Sequence, residues 1–327
     1  MGKDEVVRVS SSQQNLEPAA QPAGRNVWHY ALRAALSAVA LGLLFLKFPP
    51  REVGQALRAV PGRQVAAAIG VYAGLQLFSA LKWQVVLDGL GSSALWRNLA
   101  RLYFVGMFSN FFLPTCVGGD AVRTYLLARR QGEWERPALS VLVERFTGFV
   151  ALMGLGVVGA WGVRMTVGGA AQRWLEAGMG LVVVGLAGSL MLMGLPRWTA
   201  WLPQRGRRVL ARLSAGMRQL VRQPRRLALL GGMSVAFQLG VTGLNAWLGW
   251  LCGVHLSASV WLLAVPLITL ASLLPTLGGL GVREAASVVV LTPFGVSAPR
   301  ALAYSLLWQA VLLLTSLPGG WLWWEGG

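Results

Sequence analysis

Two short stretches of this chain repeat the same residue types, and their chemistry is that of an anion-binding helix start. The first runs from Leu113 to Arg123 and contains Leu-Pro-Thr, then Gly-Gly, then Val-Arg; the second runs from Leu274 to Arg283 and keeps that order with one residue fewer. Proline and paired glycines interrupt a helix, and a free helix N-terminus beside an arginine suits an anion such as phosphate. The repeat therefore predicts two matching anion sites.

Glycines and charged side chains of the two repeats form the predicted substrate site, together with one glutamate that follows the first repeat. Ionisable groups are costly inside hydrocarbon, so each one near an apolar segment is a candidate site residue. The acidic ones stand out because the chain has no Asp or Glu between Glu176 and Glu284. The predicted substrate-binding residues are Gly118, Gly119, Asp120, Arg123, Glu144, Gly278, Gly279, Arg283 and Glu284.

Two interpretations of the charged residues in the repeats stay open. In the first, the arginines bind a lipid phosphate, and Asp120 caps the helix that begins at Ala121. In the second, Asp120 with Arg123 and Arg283 with Glu284 are internal ion pairs that hold broken helices together. The duplication of the whole set favours binding.

Glu144 and Arg145 form a third charged pair, which either completes the cavity or marks the cytoplasmic boundary. The boundary role suits Arg145 better than Glu144. Three amides in apolar regions, Asn110, Gln238 and Asn245, either line a polar path or form hydrogen bonds between helices, which is their commoner use.

The composition indicates a membrane protein without a catalytic centre. Hydrophobic residues make up 55% of the chain and charged residues 13%, whereas soluble domains carry about 25% charged residues. The net charge of +17 comes from basic residues in loops between apolar spans, which fits the positive-inside rule better than nucleic-acid binding. The two cysteines lack metal spacing, and nucleotide, zinc and serine-hydrolase motifs are absent. We therefore expect no cofactor, no metal site and no enzymatic activity.

Apolar windows long enough to cross a membrane predict an all-α polytopic protein. Two further stretches, residues 98–130 and 260–295, each hold an apolar run, the repeated phrase and a second helix-compatible segment. We predict that they form two re-entrant broken helical hairpins, each entering and leaving the membrane on one side. The alternative is that the repeats are ordinary loops between about ten crossings. The predicted full spans, about six, are residues 28–48, 64–87, 147–167, 175–195, 227–252 and 301–323.

The distribution of arginines predicts the orientation. Residues 197–226 contain nine Arg and no acidic residue, so this loop is predicted to be cytoplasmic and to form a basic amphipathic helix at the interface. Counting spans from it places both termini in the cytoplasm and lets the two hairpins approach from opposite faces. This is the inverted repeat typical of transporters. Residues 1–27 are predicted to be a disordered cytoplasmic tail, and 28–327 a single transmembrane domain.

Three motifs, in this order, resemble a known family. The chain is similar to the lysylphosphatidylglycerol synthase transmembrane-region family, also described as flippase-like, over roughly residues 30–324. The residues that carry the resemblance are Ser109-Asn110-Phe111-Phe112-Leu113-Pro114 with Gly118-Gly119-Asp120-Ala121-Val122-Arg123, then Glu144-Arg145-Phe146-Thr147-Gly148, then Pro275 with Gly278-Gly279-Leu280-Gly281-Val282-Arg283-Glu284.

The resemblance implies lipid translocation between the leaflets of a bacterial or archaeal plasma membrane, and it leaves the lipid open. In bifunctional members a cytosolic aminoacyl-transferase domain follows this module; here the chain stops at Gly327, so we expect no aminoacyl transfer. We expect a flippase for an anionic or aminoacylated phospholipid. The alternative is an accessory membrane protein that presents lipid to a separate synthase or glycosyltransferase.

The expected partner is a membrane phospholipid and not a nucleic acid. A lipid-modifying enzyme and a second copy of the chain are further candidate partners.

Overall fold

The computed structural model describes residues 50–112, 118–164, 222–273 and 281–326, together with the single residues 42, 180 and 219. Within these ranges the regular structure is helical and comprises nine α-helices, with a short 3-10 helix between the last two. The α-helices are α1 Pro50–Arg58, α2 Gly62–Gly89, α3 Trp96–Phe112, α4 Gly118–Gln131, α5 Glu135–Arg164, α6 Pro224–Leu251, α7 Ala258–Ala271, α8 Val282–Leu291 and α9 Ala298–Gly326.

Four of the described helices, α2, α5, α6 and α9, are long and apolar enough to cross a membrane. They correspond to four of the predicted spans, those at 64–87, 147–167, 227–252 and 301–323. Helix α5 begins at Glu135, well before the predicted start, because the charged residues of its first turns hide this part of the helix from a hydropathy window.

Several predicted segments lie outside the described ranges. These are the tail at residues 1–27, the spans at 28–48 and 175–195 apart from single residues, and most of the amphipathic helix at 197–226. From Pro224 onward that last segment belongs to the first turn of α6.

Each of the two repeat regions forms a pair of short helices that pack against each other, α3 on α4 and α7 on α8. Helices α3 and α4 have 17 and 14 residues, and α7 and α8 have 14 and 10. Crossing about 30 Å of hydrocarbon takes about 20 helical residues, so each of these four is too short to cross alone. The joining residues, 113–117 and 274–280, lie outside the described ones. Neither repeat region is therefore one uninterrupted span.

Glycines allow several helices to meet backbone to backbone. A Cβ atom built on Gly119 of α4 would overlap the carbonyl oxygen of Gly106 on α3, and one built on Gly319 of α9 would overlap the carbonyl oxygen of Phe104. Small residues at such crossings are the usual means of packing helices in a membrane. The close crossing of α3 and α4 fixes the start of α4 beside Gly106 of α3.

Helix α2 lies at the centre of the described bundle, where it packs against α3, α5, α6 and α9. An apolar cluster around Trp83 of α2 includes Tyr103 from α3, Leu127 from α4 and Val141 from α5. A larger apolar cluster joins α2 and α5 to the C-terminal helices α6 to α9. The two clusters hold α2 and α5 between the two repeat regions.

The variant Gly119→Ala tests the close crossing of α3 and α4. Because the new methyl group overlaps the Gly106 carbonyl, we expect the free energy of unfolding to fall by about 1–3 kcal/mol, seen as a lower melting temperature in detergent. Gly154→Ala in α5 is the matched control, since a Cβ there meets no atom within 4 Å. Equal melting temperatures for the two variants would contradict the crossing.

Candidate functional site

A cluster of charged side chains lies where α2, α4 and α5 meet. Its centre is Glu144 on α5; the Glu144 Oε2 lies 2.7 Å from Nη2 of Arg123 on α4, and the two side chains are 3% and 2% exposed. The Nε of Arg123 also donates to Oδ1 of Asp120 at 2.9 Å, one turn earlier on the same helix. The structure thus brings together three predicted site residues, Asp120, Arg123 and Glu144.

Arg145 binds the other side of Asp120. The Nε of Arg145 lies 2.7 Å from Asp120 Oδ2, and its Nη2 lies 2.8 Å from Oδ1, which is the bidentate pairing that guanidinium and carboxylate prefer. The Arg145 side chain is 54% exposed, so it forms the open edge of the cluster, whereas that of Asp120 is 8% exposed. The sequence favours a boundary role for Arg145; the structure makes it a member of the site.

Lys82 on α2 adds a third cation that the sequence prediction missed. Its Nζ lies 3.8 Å from Glu144 Oε1 and donates to the main-chain oxygen of Glu144 at 3.2 Å and to Ser234 Oγ at 3.4 Å. Lys82 is not among the predicted site residues, yet its side chain is 3% exposed. A lysine within the apolar window at 64–87 was the available signal, because such a charge must find a partner.

Two hydroxyl groups complete the surroundings of Glu144. Ser79 Oγ and the Tyr103 hydroxyl each donate to Glu144 Oε1 at 3.2 Å, and they lie 2.9 Å apart. Both carboxylate oxygens of Glu144 are therefore hydrogen-bonded, as a buried charge requires. Ser79 and Tyr103 carry no sequence signal that distinguishes them from ordinary helix residues.

The guanidinium of Arg123 is also held by aromatic rings. Its Cζ lies 4.7 Å from the ring centroid of Trp83 and 4.5 Å from that of Tyr103, which is the range of a cation–π interaction. The Trp83 ring is in turn positioned by its Nε1, which donates to Ser140 Oγ at 2.8 Å. The Nη1 atom of Arg123 is buried and has no hydrogen-bond partner within the described part of the chain.

These side chains, Lys82, Asp120, Arg123, Glu144 and Arg145, form the charge cluster. Lys82, Arg123 and Arg145 oppose the two carboxylates within salt-bridge distance, so the cluster carries one formal positive charge in excess. The four buried members, Lys82, Asp120, Arg123 and Glu144, balance one another, so the excess charge lies on Arg145, whose side chain is 54% exposed. An anion that binds the charge cluster would therefore meet Arg145 at its open edge.

Asn110 of α3 caps the start of α4. The Gly119 N–H donates to Asn110 Oδ1 at 2.7 Å, and α4 already begins at Gly118. Asp120 thus lies within the first turn, and its carboxylate binds two arginines in place of the capping role predicted before Ala121. The Gly119 N–H is consequently taken up by a neighbouring helix and is not free for an anion.

The second repeat is built differently from the first. Glu284 is fully buried, and its Oε2 accepts the N–H of Gly281 at 2.6 Å, at the start of α8. Gly281 has φ 84°, a left-handed conformation that glycine adopts without strain. Arg283 and Glu284 do not form a salt bridge, so the internal ion pair considered for the second repeat is not found between these two described side chains.

Arg283 is stacked on an aromatic ring of α9. Its Cζ lies 5.0 Å from the Trp308 ring centroid, and its buried Nε has no hydrogen-bond partner among the described residues. Tyr304, also on α9, donates from its hydroxyl to Asn245 of α6. Asn245 therefore serves as a link between helices, as does Gln238, whose amide donates to the Gly148 carbonyl at 3.0 Å.

The remaining predicted site residues are the four glycines of the two repeats. Gly118 and Gly119 are buried in the first turn of α4, whereas Gly278 and Gly279 lie outside the described residues. Within the described ranges no three His, Cys, Asp or Glu side chains are grouped so that they could hold a metal ion.

The variant Glu144→Gln tests whether Glu144 balances the charge cluster. It leaves Lys82 and Arg123 buried with too little negative charge, so we expect the free energy of unfolding to fall by about 3–5 kcal/mol, measured by thermal unfolding in detergent.

Glu133→Gln is the control for this variant. Glu133 lies 3.6 Å from Arg136, with side chains 39% and 51% exposed, and such surface pairs contribute about 0–1 kcal/mol. If Glu144→Gln proved as mild as Glu133→Gln, the central role of Glu144 would be refuted.

Comparison with known proteins places the chain in a family. A search of curated proteins found no match. The family model of the lysylphosphatidylglycerol synthase TM region matches residues 30–319, which includes both repeats and every member of the charge cluster. Together with the four membrane-length helices, this match identifies a multi-pass membrane protein with a lipid-related role. The chain belongs to the lysylphosphatidylglycerol synthase transmembrane-region family.

Proposed function

We propose that the protein is a flippase that moves an anionic or aminoacylated phospholipid between the two leaflets of a membrane. The observation that carries this proposal is the charge cluster of Lys82, Asp120, Arg123, Glu144 and Arg145, which is buried at its centre, open at Arg145 and richer in cations than in carboxylates. A lipid phosphate is the anion that a membrane supplies, and arginine binds phosphate oxygens in pairs.

Two features of the charge cluster support binding over a purely structural role. A structural network would be expected to pair its charges evenly, whereas this one has an extra cation. It also leaves the buried Arg123 Nη1 without a hydrogen-bond partner among the described residues, although buried polar groups are usually satisfied. A phosphate oxygen at the open edge would supply the counter-charge for Arg145.

The repeat regions supply the proposed route through the membrane. We propose that α3 with α4, and α7 with α8, form two re-entrant hairpins that approach from opposite faces of the membrane as an inverted repeat. In this arrangement the protein lies in the plasma membrane and both of its termini are cytoplasmic. The helix lengths of 17, 14, 14 and 10 residues support this. Broken helices at mid-membrane depth require surrounding protein or a water-filled cavity, which fits a polar lipid headgroup passing there.

The proposed activity is transport and not catalysis. The sequence contains no nucleotide-binding motif, so the proposed driving force is an ion gradient, the membrane potential or the lipid gradient itself.

Leaflet transfer of a fluorescent phosphatidylglycerol in proteoliposomes tests this function. We expect the wild-type protein to accelerate transfer, and Arg145→Gln to slow it by about tenfold because the half-exposed guanidinium no longer contacts the phosphate. Arg145→Gln keeps Asp120 paired with Arg123, so the fold is expected to survive, which a melting curve checks.

Arg130→Gln is the matched control, since Arg130 is an exposed arginine of α4 outside the charge cluster. Wild-type protein that transfers no more lipid than empty liposomes would exclude the flippase function. Equal slowing by Arg145→Gln and Arg130→Gln would remove the charge cluster from the mechanism.

Thiol labelling at the two ends of α6 tests the orientation. In a Cys116→Ser background we expect a membrane-impermeant maleimide to label His255→Cys on intact cells, and Arg225→Cys only after permeabilisation. The native Cys252 does not interfere, because it is 4% exposed and the reagent does not reach it. The opposite labelling pattern would contradict cytoplasmic termini.

A further inference from the structure

Both oxygens of the Asp120 carboxylate are occupied by arginines of the protein. Oδ1 accepts hydrogen bonds from Arg123 Nε at 2.9 Å and from Arg145 Nη2 at 2.8 Å. Oδ2 accepts one from Arg145 Nε at 2.7 Å. Because the Asp120 side chain is only 8% exposed, a cation from outside would have to displace an arginine to reach it.

The Glu144 carboxylate is occupied as well. Its Oε2 lies 2.7 Å from Arg123 Nη2. Its Oε1 accepts hydrogen bonds from Ser79 and Tyr103, each at 3.2 Å, and lies 3.8 Å from Lys82 Nζ. With a side chain that is 3% exposed, Glu144 is closed to an external ammonium group.

The open edge of the charge cluster presents the opposite charge. Its excess positive charge lies on Arg145, whose side chain is 54% exposed. A guanidinium has five N–H donors, and the Asp120 carboxylate accepts two of those of Arg145. Asp120 therefore orients the Arg145 guanidinium and leaves its other donors for an anion.

No further carboxylate is available beside Arg145 in the described part of the chain. The salt bridges of the charge cluster there involve no carboxylate besides Asp120 and Glu144, and residues 113–117, which lead into α4, contain no Asp or Glu. In the second repeat, the Glu284 Oε1 has no hydrogen-bond partner among the described residues. The Glu284 side chain is 0% exposed, however, so it is enclosed by protein and does not face the open edge.

We propose that the open edge of the charge cluster selects phospholipids whose headgroup carries a net negative charge and discriminates against headgroups that bear an aminoacyl ammonium group. This inference deepens the flippase function proposed above, rests on it for the kind of ligand, and narrows the substrate class to anionic phospholipids. Phosphatidylglycerol belongs to this class. Its lysyl ester keeps the phosphate but adds ammonium groups, which reverse the net charge of the headgroup.

The discrimination follows from the tether between the two charges of an aminoacylated headgroup. Because the glycerol connects the ammonium groups to the phosphate, a phosphate bound at Arg145 brings them close to the excess positive charge. Like charges repel, and more strongly near protein than in bulk water. The carboxylates that would offset this repulsion are already paired, whereas phosphatidylglycerol meets only the attraction.

Binding to purified full-length protein tests this selectivity. Short-chain phosphatidylglycerol, its lysyl ester, the matching diacylglycerol and inorganic phosphate are compared by ligand-induced shifts of the melting temperature in an uncharged detergent. We expect the Kd for phosphatidylglycerol to be about tenfold lower than that for the lysyl ester, and diacylglycerol and inorganic phosphate to bind more weakly than phosphatidylglycerol.

The variant Arg145→Glu assigns the selectivity to its residue. A carboxylate then replaces the exposed guanidinium, so we expect the lysyl ester to bind more tightly than phosphatidylglycerol. Arg130→Glu changes the net charge equally at an exposed position of α4 outside the charge cluster, and we expect it to keep the wild-type preference. If Arg145→Glu does not fold, Arg145→Gln takes its place, with the expectation that the two lipids bind equally.

Three results would overturn the proposal. A lysyl ester that binds wild-type protein as tightly as phosphatidylglycerol would refute the selectivity. A preference for phosphatidylglycerol that survives in Arg145→Glu or Arg145→Gln would remove Arg145 from it. Inorganic phosphate or diacylglycerol that binds as tightly as phosphatidylglycerol would refute a phospholipid headgroup as the ligand.

These outcomes are separable from those of the proposed function. Wild-type protein that transfers phosphatidylglycerol and its lysyl ester equally fast, and binds them equally, would refute only the selectivity. Wild-type protein that binds phosphatidylglycerol selectively but transfers none would refute only the flippase activity.

Discussion

The structure depends on a carboxylate that is buried among cations. Glu144 is 3% exposed and binds Arg123, while Lys82 and two hydroxyl groups occupy its other oxygen. In a medium of low dielectric constant such a charge is tolerated only with complete pairing, so Glu144 ties α2, α3, α4 and α5 to fixed positions. Because three cations meet two carboxylates there, the arrangement that holds these helices together leaves the half-exposed Arg145 for the proposed lipid phosphate.

Close backbone packing brings these charges within reach of one another. The crossing of Gly106 and Gly119 draws α4 against α3, and the cap from Asn110 to the Gly119 N–H holds the start of α4 there. Because Asn110 caps α4, the Asp120 carboxylate is not needed as a cap, and it joins Arg123 to Arg145. The interrupted helix is thus what allows a short polar segment to face α5 in the middle of the bundle.

The sequence predicts the helices of this protein better than it predicts which charged side chains pair with each other. The four long described helices and the two interrupted regions follow from apolar length and from the Pro and Gly residues, and Asp120, Arg123 and Glu144 stand out as rare charges. The sequence pattern omits Lys82 from the site and favours a boundary role for Arg145, because hydropathy reports where a segment becomes apolar and not which partner buries a charge. The roles of Asn110 and Tyr103 depend on contacts between distant helices, which a single sequence does not encode in any local pattern.

The charge cluster is proposed to bind a lipid phosphate at its open edge. A cryo-electron microscopy structure of the protein in nanodiscs that contain phosphatidylglycerol would locate this phosphate. We expect phosphate density within hydrogen-bond distance of the Arg145 guanidinium, with acyl chains leading from it into the bilayer. Lipid density confined to the outer perimeter, with Arg145 facing bulk solvent, would contradict it.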